Sequence, residues 1–360
     1  MGERRHARSR SGYRRSRRFR GDRRGVVAVI GTLLALLVFF ALFGIFLTQY
    51  VPLWMEENES QLSNQLQASL AMLKSGMDDQ YIFGGIPTYS VPFTLSSDTV
   101  PLLAQPTVAT LAYLDGCPGG FYANGTPRQV GGCDFERLSY TTGAGPHGSV
   151  SVPYYQTVPT HYLELTVPDR YFPQMAFFFE ADAISVAQSS VHQGLLVPPP
   201  YNLSRVGSSV TVASNVLDLV GSASTFSGQG SKDVTSTIVG TSNVSSTSRF
   251  LTAATGGTAR PFNVTMTFGV HAVCGWYDYL YNTTRAVLGA PAGSLGPNPG
   301  PGNWTLTGVS ASGTLSLPAS GSVCLGSLTS TYDLTLTIYS VSYAAAAVAQ
   351  AQISFNAGGL

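Results

Sequence analysis

Two pairs of acidic residues at i, i+2, Asp134 with Glu136 and Glu180 with Asp182, come closest to an acid–base arrangement in this chain. On a strand that spacing puts both carboxylates on one face, as paired acid–base chemistry requires. Beyond residue 25 the histidines are His147, His161, His192 and His271, each isolated in sequence. None of the motifs H-E-x-x-H, G-x-S-x-G or G-x-x-x-x-G-K-[ST] occurs. The expectation is therefore of no enzyme, no metal site and no cofactor, with the acidic pairs on solvated surface. Glu180 and Asp182 close the apolar run of residues 175–179, where a charge guards a strand against edge pairing. Trp276 and Trp304 could stack on a sugar, but core packing is the stronger expectation for both.

Covalent chemistry is better represented. Cys117, Cys133, Cys274 and Cys324 include no C-x-x-C and have no histidine pair at metal-ligand spacing. Outside the cell they read as two disulfides, for which three pairings exist; sequence proximity favours Cys117–Cys133 and Cys274–Cys324. Seven of the eleven asparagines open an N-x-S/T triplet: Asn58, Asn124, Asn202, Asn243, Asn263, Asn282 and Asn303. In an extracellular chain these are candidate glycosylation sites.

Charge and hydropathy say where such residues would lie. Eleven arginines against Glu3 and Asp22 give the first 25 positions a net +9. The remainder has nine basic and seventeen acidic residues, a net −8. Between the two regions residues 26–47 form a run of 22, sixteen of them Val, Ile, Leu or Phe and none charged. As a helix this run spans about 33 Å, enough for the hydrocarbon core of a bilayer. Its apolar side chains favour insertion by about −5 to −10 kcal/mol. With Glu56, Glu57 and Glu59 beyond it, the positive-inside bias predicts a single-pass protein of the cell membrane. The N-terminus would be cytoplasmic and the bulk of the chain extracellular, with Tyr50 and Trp54 at the outer interface. Membrane lipid is then the partner of the arginine tail, rather than nucleic acid.

Past the span, Leu62, Leu66, Leu70, Leu73 and Met77 recur at spacings of four and three, predicting that the helix continues with one apolar stripe. Pro52 is expected to kink it and Gly76 to stop it. Beyond about residue 80, alternating β-branched and aromatic residues predict strands at 149–156, 161–167, 262–270 and 331–343. A short helix is expected at 276–288, with Trp276, Leu280, Thr284 and Val287 on one face. The fold class is α+β, a long N-terminal helix followed by a β-rich, sandwich-like body. The expected divisions are 1–25 (tail or leader), 26–47 (membrane helix), 48–78 (its amphipathic continuation) and 79–360 (the body). The prolines at 198–200 offer a sub-domain break.

The junction Arg23-Arg24-Gly25, followed at once by Val26-Val27-Ala28-Val29-Ile30-Gly31, has a basic-then-glycine step before the apolar helix. It resembles the class III signal peptide of archaeal type IV pilin-like proteins, in which a prepilin peptidase cuts after such a glycine. The run VVAVIG matches their V-x-P-V-I-G opening at every position but the proline. The stretches YFPQMAFFFEADAISVAQ, LLVPPPYNLS, VLDLVGSASTFSGQGS and GWYDYLYNTTRAVL look like the bodies of pilin-like archaeal surface proteins. The resemblance implies processing between Gly25 and Val26, and a helix that serves first as anchor and then as assembly stalk. The implied partners are a prepilin peptidase and pilin-like subunits. Bacterial pilins carry a glutamate five residues after the cut, where this chain has Ile30. The alternative expectation is a monomeric, membrane-anchored, adhesin-like ectodomain for an unspecified ligand.

Overall fold

In a computed structural model, the structure describes residues 23–84, 88–98, 105–114, 122–123, 126–127, 135–142, 154–159, 161–188, 192–247, 262–291, 302–310, 313–314 and 332–357. The chain divides into two compact units, Met1–Pro52 and Leu53–Leu360.

The first unit is built on helix α1 (Arg23–Ile45). Its large apolar side chains are exposed on every side, among them Val27, Leu33, Leu37, Phe40 and Leu42. One hydroxyl lies in the apolar run and one just beyond it, and both are satisfied by the helix backbone: Thr32 donates to the Val29 carbonyl and Thr48 to that of Gly44, each at 2.9 Å. A helical segment in lipid must meet its hydrogen bonds internally in this way. Among the described residues, one helix is long and apolar enough to cross a membrane. A π-helical turn, Phe46–Tyr50, follows α1, and Val51 donates its N–H to the Phe46 carbonyl. The wider turn sits immediately before Pro52, which has no N–H to give and would crowd an α-helical carbonyl four residues back.

The second unit opens within α2 (Val51–Phe83), whose predicted stripe is fully realised. Leu62, Leu66, Leu70, Leu73 and Met77 are all buried, in one core with Val91, Phe93, Leu111, Leu165, Phe177, Leu217, Val234 and Ile353. The helix does not stop at Gly76. It ends at Phe83, where Gly84 takes φ 60° and returns its N–H to the Gln80 carbonyl at 3.0 Å. Gly76 serves close approach instead: a Cβ there would lie 2.1 Å from Cδ1 of Tyr89, whose ring covers the bare Cα.

Among the described residues, three larger sheets make up most of the rest. The first orders β1 (Tyr89–Thr94), β14 (Ser231–Thr247), β19 (Tyr343–Ala357), β12 (Ser209–Val220) and β11 (Tyr201–Val206). Its β12 and β19 run parallel and its other pairs antiparallel. The second orders β10 (His192–Val197), β9 (Ala183–Gln188), β8 (Met175–Glu180), β7 (Tyr162–Val167), β2 (Thr110–Leu114) and β13 (Ser224–Ser227). The third orders β17 (Gly313–Thr314), β16 (Trp304–Ser310), β18 (Tyr332–Val341), β15 (Phe262–Val270), β5 (Phe135–Thr142) and β6 (Tyr154–Pro159). A separate pair joins β3 (Tyr122–Ala123) to β4 (Thr126–Pro127). The body is thus β-rich and the fold α+β, as the sequence pattern predicts.

The predicted helix at 276–288 is α3 (Val273–Leu288), with Trp276, Leu280 and Thr284 buried. It joins a second core with Val264, Met266, Phe268, Trp304, Leu334, Leu336 and Ile338 of the third sheet and Val210 and Val212 of the first. Pro198 to Pro200 carry the chain from β10 of the second sheet to β11 of the first, inside one compact unit.

Candidate functional site

The β8–β9 hairpin places its acidic pair where the sequence reading did not. Ala181 and Asp182 form a two-residue turn with φ 45° and 60°, the positive pair that a type I′ turn demands. Asp tolerates this conformation, whereas Ala does so only when its surroundings hold it there. Glu180 and Asp182 therefore do not share a solvated strand face. Both are buried, and they reach toward different elements.

Glu180 accepts four hydrogen bonds: from Ser185 Oγ at 2.9 Å, Trp276 Nε1 at 3.0 Å, and the backbone N–H and Nδ1 of His271 at 2.9 and 3.0 Å. Burial pushes this carboxyl up, but the hydrogen bonds and charge of His271, with Ser185, outweigh it and hold the group below the usual range. The His271 ring stacks on Phe178 with centroids 4.6 Å apart and packs against Tyr162. His271 is thus not isolated as its sequence position suggested. With Trp276 it ties the second sheet to the start of α3. Trp276 and Trp304 are both fully buried, and Trp304 donates to the Gly289 carbonyl at 3.0 Å.

Asp182 reaches α2, where Lys74 Nζ lies 2.7 Å from its Oδ1. The same Nζ is 3.1 and 3.0 Å from the two oxygens of Asp78, one helical turn on. Lys74 and Asp182 are buried, while Asp78 is partly open to solvent. Burial pushes Asp182 up to about 7, with Asp78 adding to the rise and Lys74 opposing it. Burial likewise disfavours the Lys74 charge, but the carboxylates of Asp182 and Asp78 outweigh it and hold the ammonium above its ordinary value.

A second buried carboxylate anchors the other end of α2. Glu59 accepts from Thr107 Oγ1 at 2.5 Å and from three successive backbone N–H groups, those of Arg170, Tyr171 and Phe172, at 3.2, 2.8 and 2.8 Å. Burial raises this carboxyl, yet Thr107 and the three N–H groups together hold it below the usual range. Next to it Asp169 is buried with neither carboxylate oxygen bonded among the described residues. Burial and the nearby Glu59 charge push Asp169 up to about 7. Gln80 completes the set, exchanging hydrogen bonds with the Ser236 backbone and hydroxyl at 3.0 and 3.1 Å. None of Glu59, Lys74 or Gln80 was legible as buried, because each partner is far away in the chain.

The covalent candidates divide. Cys274, in the first turn of α3, is buried and is not a free thiol. Cys117, Cys133 and Cys324, with Asn124, Asp134 and His147, lie outside the described residues. Asn202 on the edge strand β11 and Asn282 on α3 are exposed. Asn58 donates to the Asp98 carbonyl at 3.4 Å, and Asn263 accepts from the Ser340 N–H at 3.3 Å. Asn303 is half-buried at the start of β16, and Asn243 lies in β14. Gly25 and Val26 fall in the first turn of α1. Among the described residues no three His, Cys, Asp or Glu side chains gather at metal-binding distance.

No protein-family model matches the chain, and no curated protein or solved structure matches it either.

Proposed function

We propose that this chain is the precursor of a type IV pilin-like subunit of an archaeal cell surface, a structural or accessory part of a filament or secretion apparatus. The observation that carries this reading is the Arg23-Arg24-Gly25 junction set directly against an apolar helix exposed on all sides. A helix of that kind needs lipid or other apolar helices around it, since its side chains have no core of their own. Removal of residues 1–25 would strip away the charges that hold the tail in the cytoplasm. The apolar segment could then exchange lipid for like helices. The buried stripe of α2 fits the same reading, because it fixes α2 itself firmly to the β-rich body.

Outside the cell, Cys274 is proposed to pair with Cys324 and Cys117 with Cys133. Glycans are proposed first at Asn202 and Asn282, whose side chains are free of the contacts that occupy Asn58 and Asn263. The adhesin-like alternative would have to rest on residues other than Trp276 and Trp304, since both indoles are buried. Co-expression with an archaeal prepilin peptidase tests the proposal. The chain should lose 25 residues, and Gly25→Leu should block the loss. A full-length product from the unaltered chain would refute it.

A further inference from the structure

We propose that Lys74 and Asp182 become joined by an isopeptide bond, an amide between Lys74 Nζ and Asp182 Cγ, with Asp78 as the acid–base group. Three features of the junction support it. The nucleophile and the carboxyl are already in contact, with Nζ 2.7 Å from Oδ1. Both side chains are 5 % exposed, so water, which would reverse an amide condensation, is largely excluded. The third group, Asp78, touches the same Nζ with both oxygens and is 42 % exposed, so it can exchange protons with solvent. An ordinary ion pair has no need of such an arrangement, and burying one is often no more stabilising than apolar packing.

The carboxyl is also held firmly. Asp182 is the second residue of a two-residue turn, paired on both sides through Glu180 and Ala183, and Glu180 itself is fixed by four hydrogen bonds. Lys74 sits on α2 between Leu73 and Met77, whose side chains are locked in a core. Two reactants fixed in contact react as though at very high local concentration.

The reaction balances without an oxidant or any other reagent. A proton passes within the ion pair, converting ammonium and carboxylate into amine and carboxylic acid. Burial keeps the protonated form of Asp182 accessible near neutral pH, and because the two carboxylates hold Lys74 as its ammonium, the neutral pair is the minor form from which attack starts. The Nζ lone pair attacks Cγ, and a C–N bond forms. Asp78 takes a proton from the attacking nitrogen and returns it to the departing oxygen as the C–O bond breaks. One water leaves, its oxygen from Asp182 and both its hydrogens from the Lys74 ammonium, and Asp78 ends as it began. The product links α2 covalently to the β8–β9 hairpin across a sequence separation of 108 residues. A pull on α2 would then load a covalent bond rather than a packed stripe.

Mass spectrometry of the whole protein, purified from membranes, reduced and digested, tests this. The expected result is a branched peptide that joins the segment holding Lys74 to the segment holding Asp182, lighter than the two together by one water. Lys74→Arg should yield no branched species. Asp78→Asn, which keeps both reacting groups, should slow the linkage by about a hundredfold or more, the range a positioned acid–base group supplies. Two linear peptides at full mass from the unaltered protein would overturn the proposal. Linkage as fast in Asp78→Asn as in the unaltered protein would overturn the role given to Asp78.

Discussion

Helices α1 and α2 are neighbours in sequence and solve opposite problems. Along α1 the apolar side chains point in every direction, and its one hydroxyl, on Thr32, folds back onto the helix's own Val29 carbonyl. Along α2 one apolar stripe, Leu62 to Met77, is buried in the body, and the other faces are largely polar or charged. Even some of those charges are buried, each met by a partner on a loop or a hairpin. A helix made for lipid or for other helices satisfies itself, whereas a helix made for a β-rich body is satisfied by that body.

That contrast sets the largest expected effect. Leu70→Asp buries an unpaired charge in the α2 core and should leave the body unfolded, as read by loss of cooperative denaturation. Leu37→Asp on α1 should leave the unfolding of the body unchanged while impairing membrane insertion, read by carbonate extraction. Equal loss of folding in both would end the distinction.

Glu180→Ala comes next. It removes the acceptor of four hydrogen bonds and strands His271 and Trp276, so a cost of about 3–5 kcal/mol is expected in denaturant unfolding. Glycines sharpen the comparison at smaller scale. Alanine at Gly31 or Gly44 meets nothing within 4 Å and should be neutral for the body or favour the helix. Alanine at Gly76 collides with the Tyr89 ring, and an overpacking cost of about 1–3 kcal/mol should exceed any gain in helix propensity.

The last effect is one of pH. Asp169 is pushed from 3.8 to about 7, so the folded state binds its proton more tightly than the unfolded state does. Its contribution to stability is therefore fullest below about pH 4 and is lost as pH rises toward about 7. Asp169→Asn should raise the Tm at about pH 8, and the gain should shrink toward about pH 4. A gain that does not change with pH would show that Asp169 does not titrate in this range.

What could be read from sequence was what repeats locally. The apolar run, the stripe from Leu62 to Met77, strand β15 and the buried face of α3 all follow from periodicity, and the structure has them where the spacing puts them. What could not be read was set by distant partners. Lys74 looks like a solvated helix residue until the turn at Asp182 is folded beside it. That turn is formed by Ala-Asp, not by the Asn-Gly or Asp-Gly pairs that announce a type I′ hairpin. Strand β19 begins Tyr-Ala-Ala-Ala-Ala, a run of strong helix formers, yet it is extended because β14 and β12 flank it on both sides. Gly76 carries the local mark of a helix stop, but it is there because the Tyr89 ring covers its Cα, while Leu73 and Met77, buried in the core, keep the helix going through it.

The most direct test of the proposed role is the N-terminal sequence of the protein recovered from sheared surface material of its native cells. A start at Val26 in that fraction is the predicted result: the leader removed, and the apolar helix moved from lipid into an assembly. An intact Met1 start, with the protein confined to the membrane fraction, would contradict it and leave a permanently anchored ectodomain.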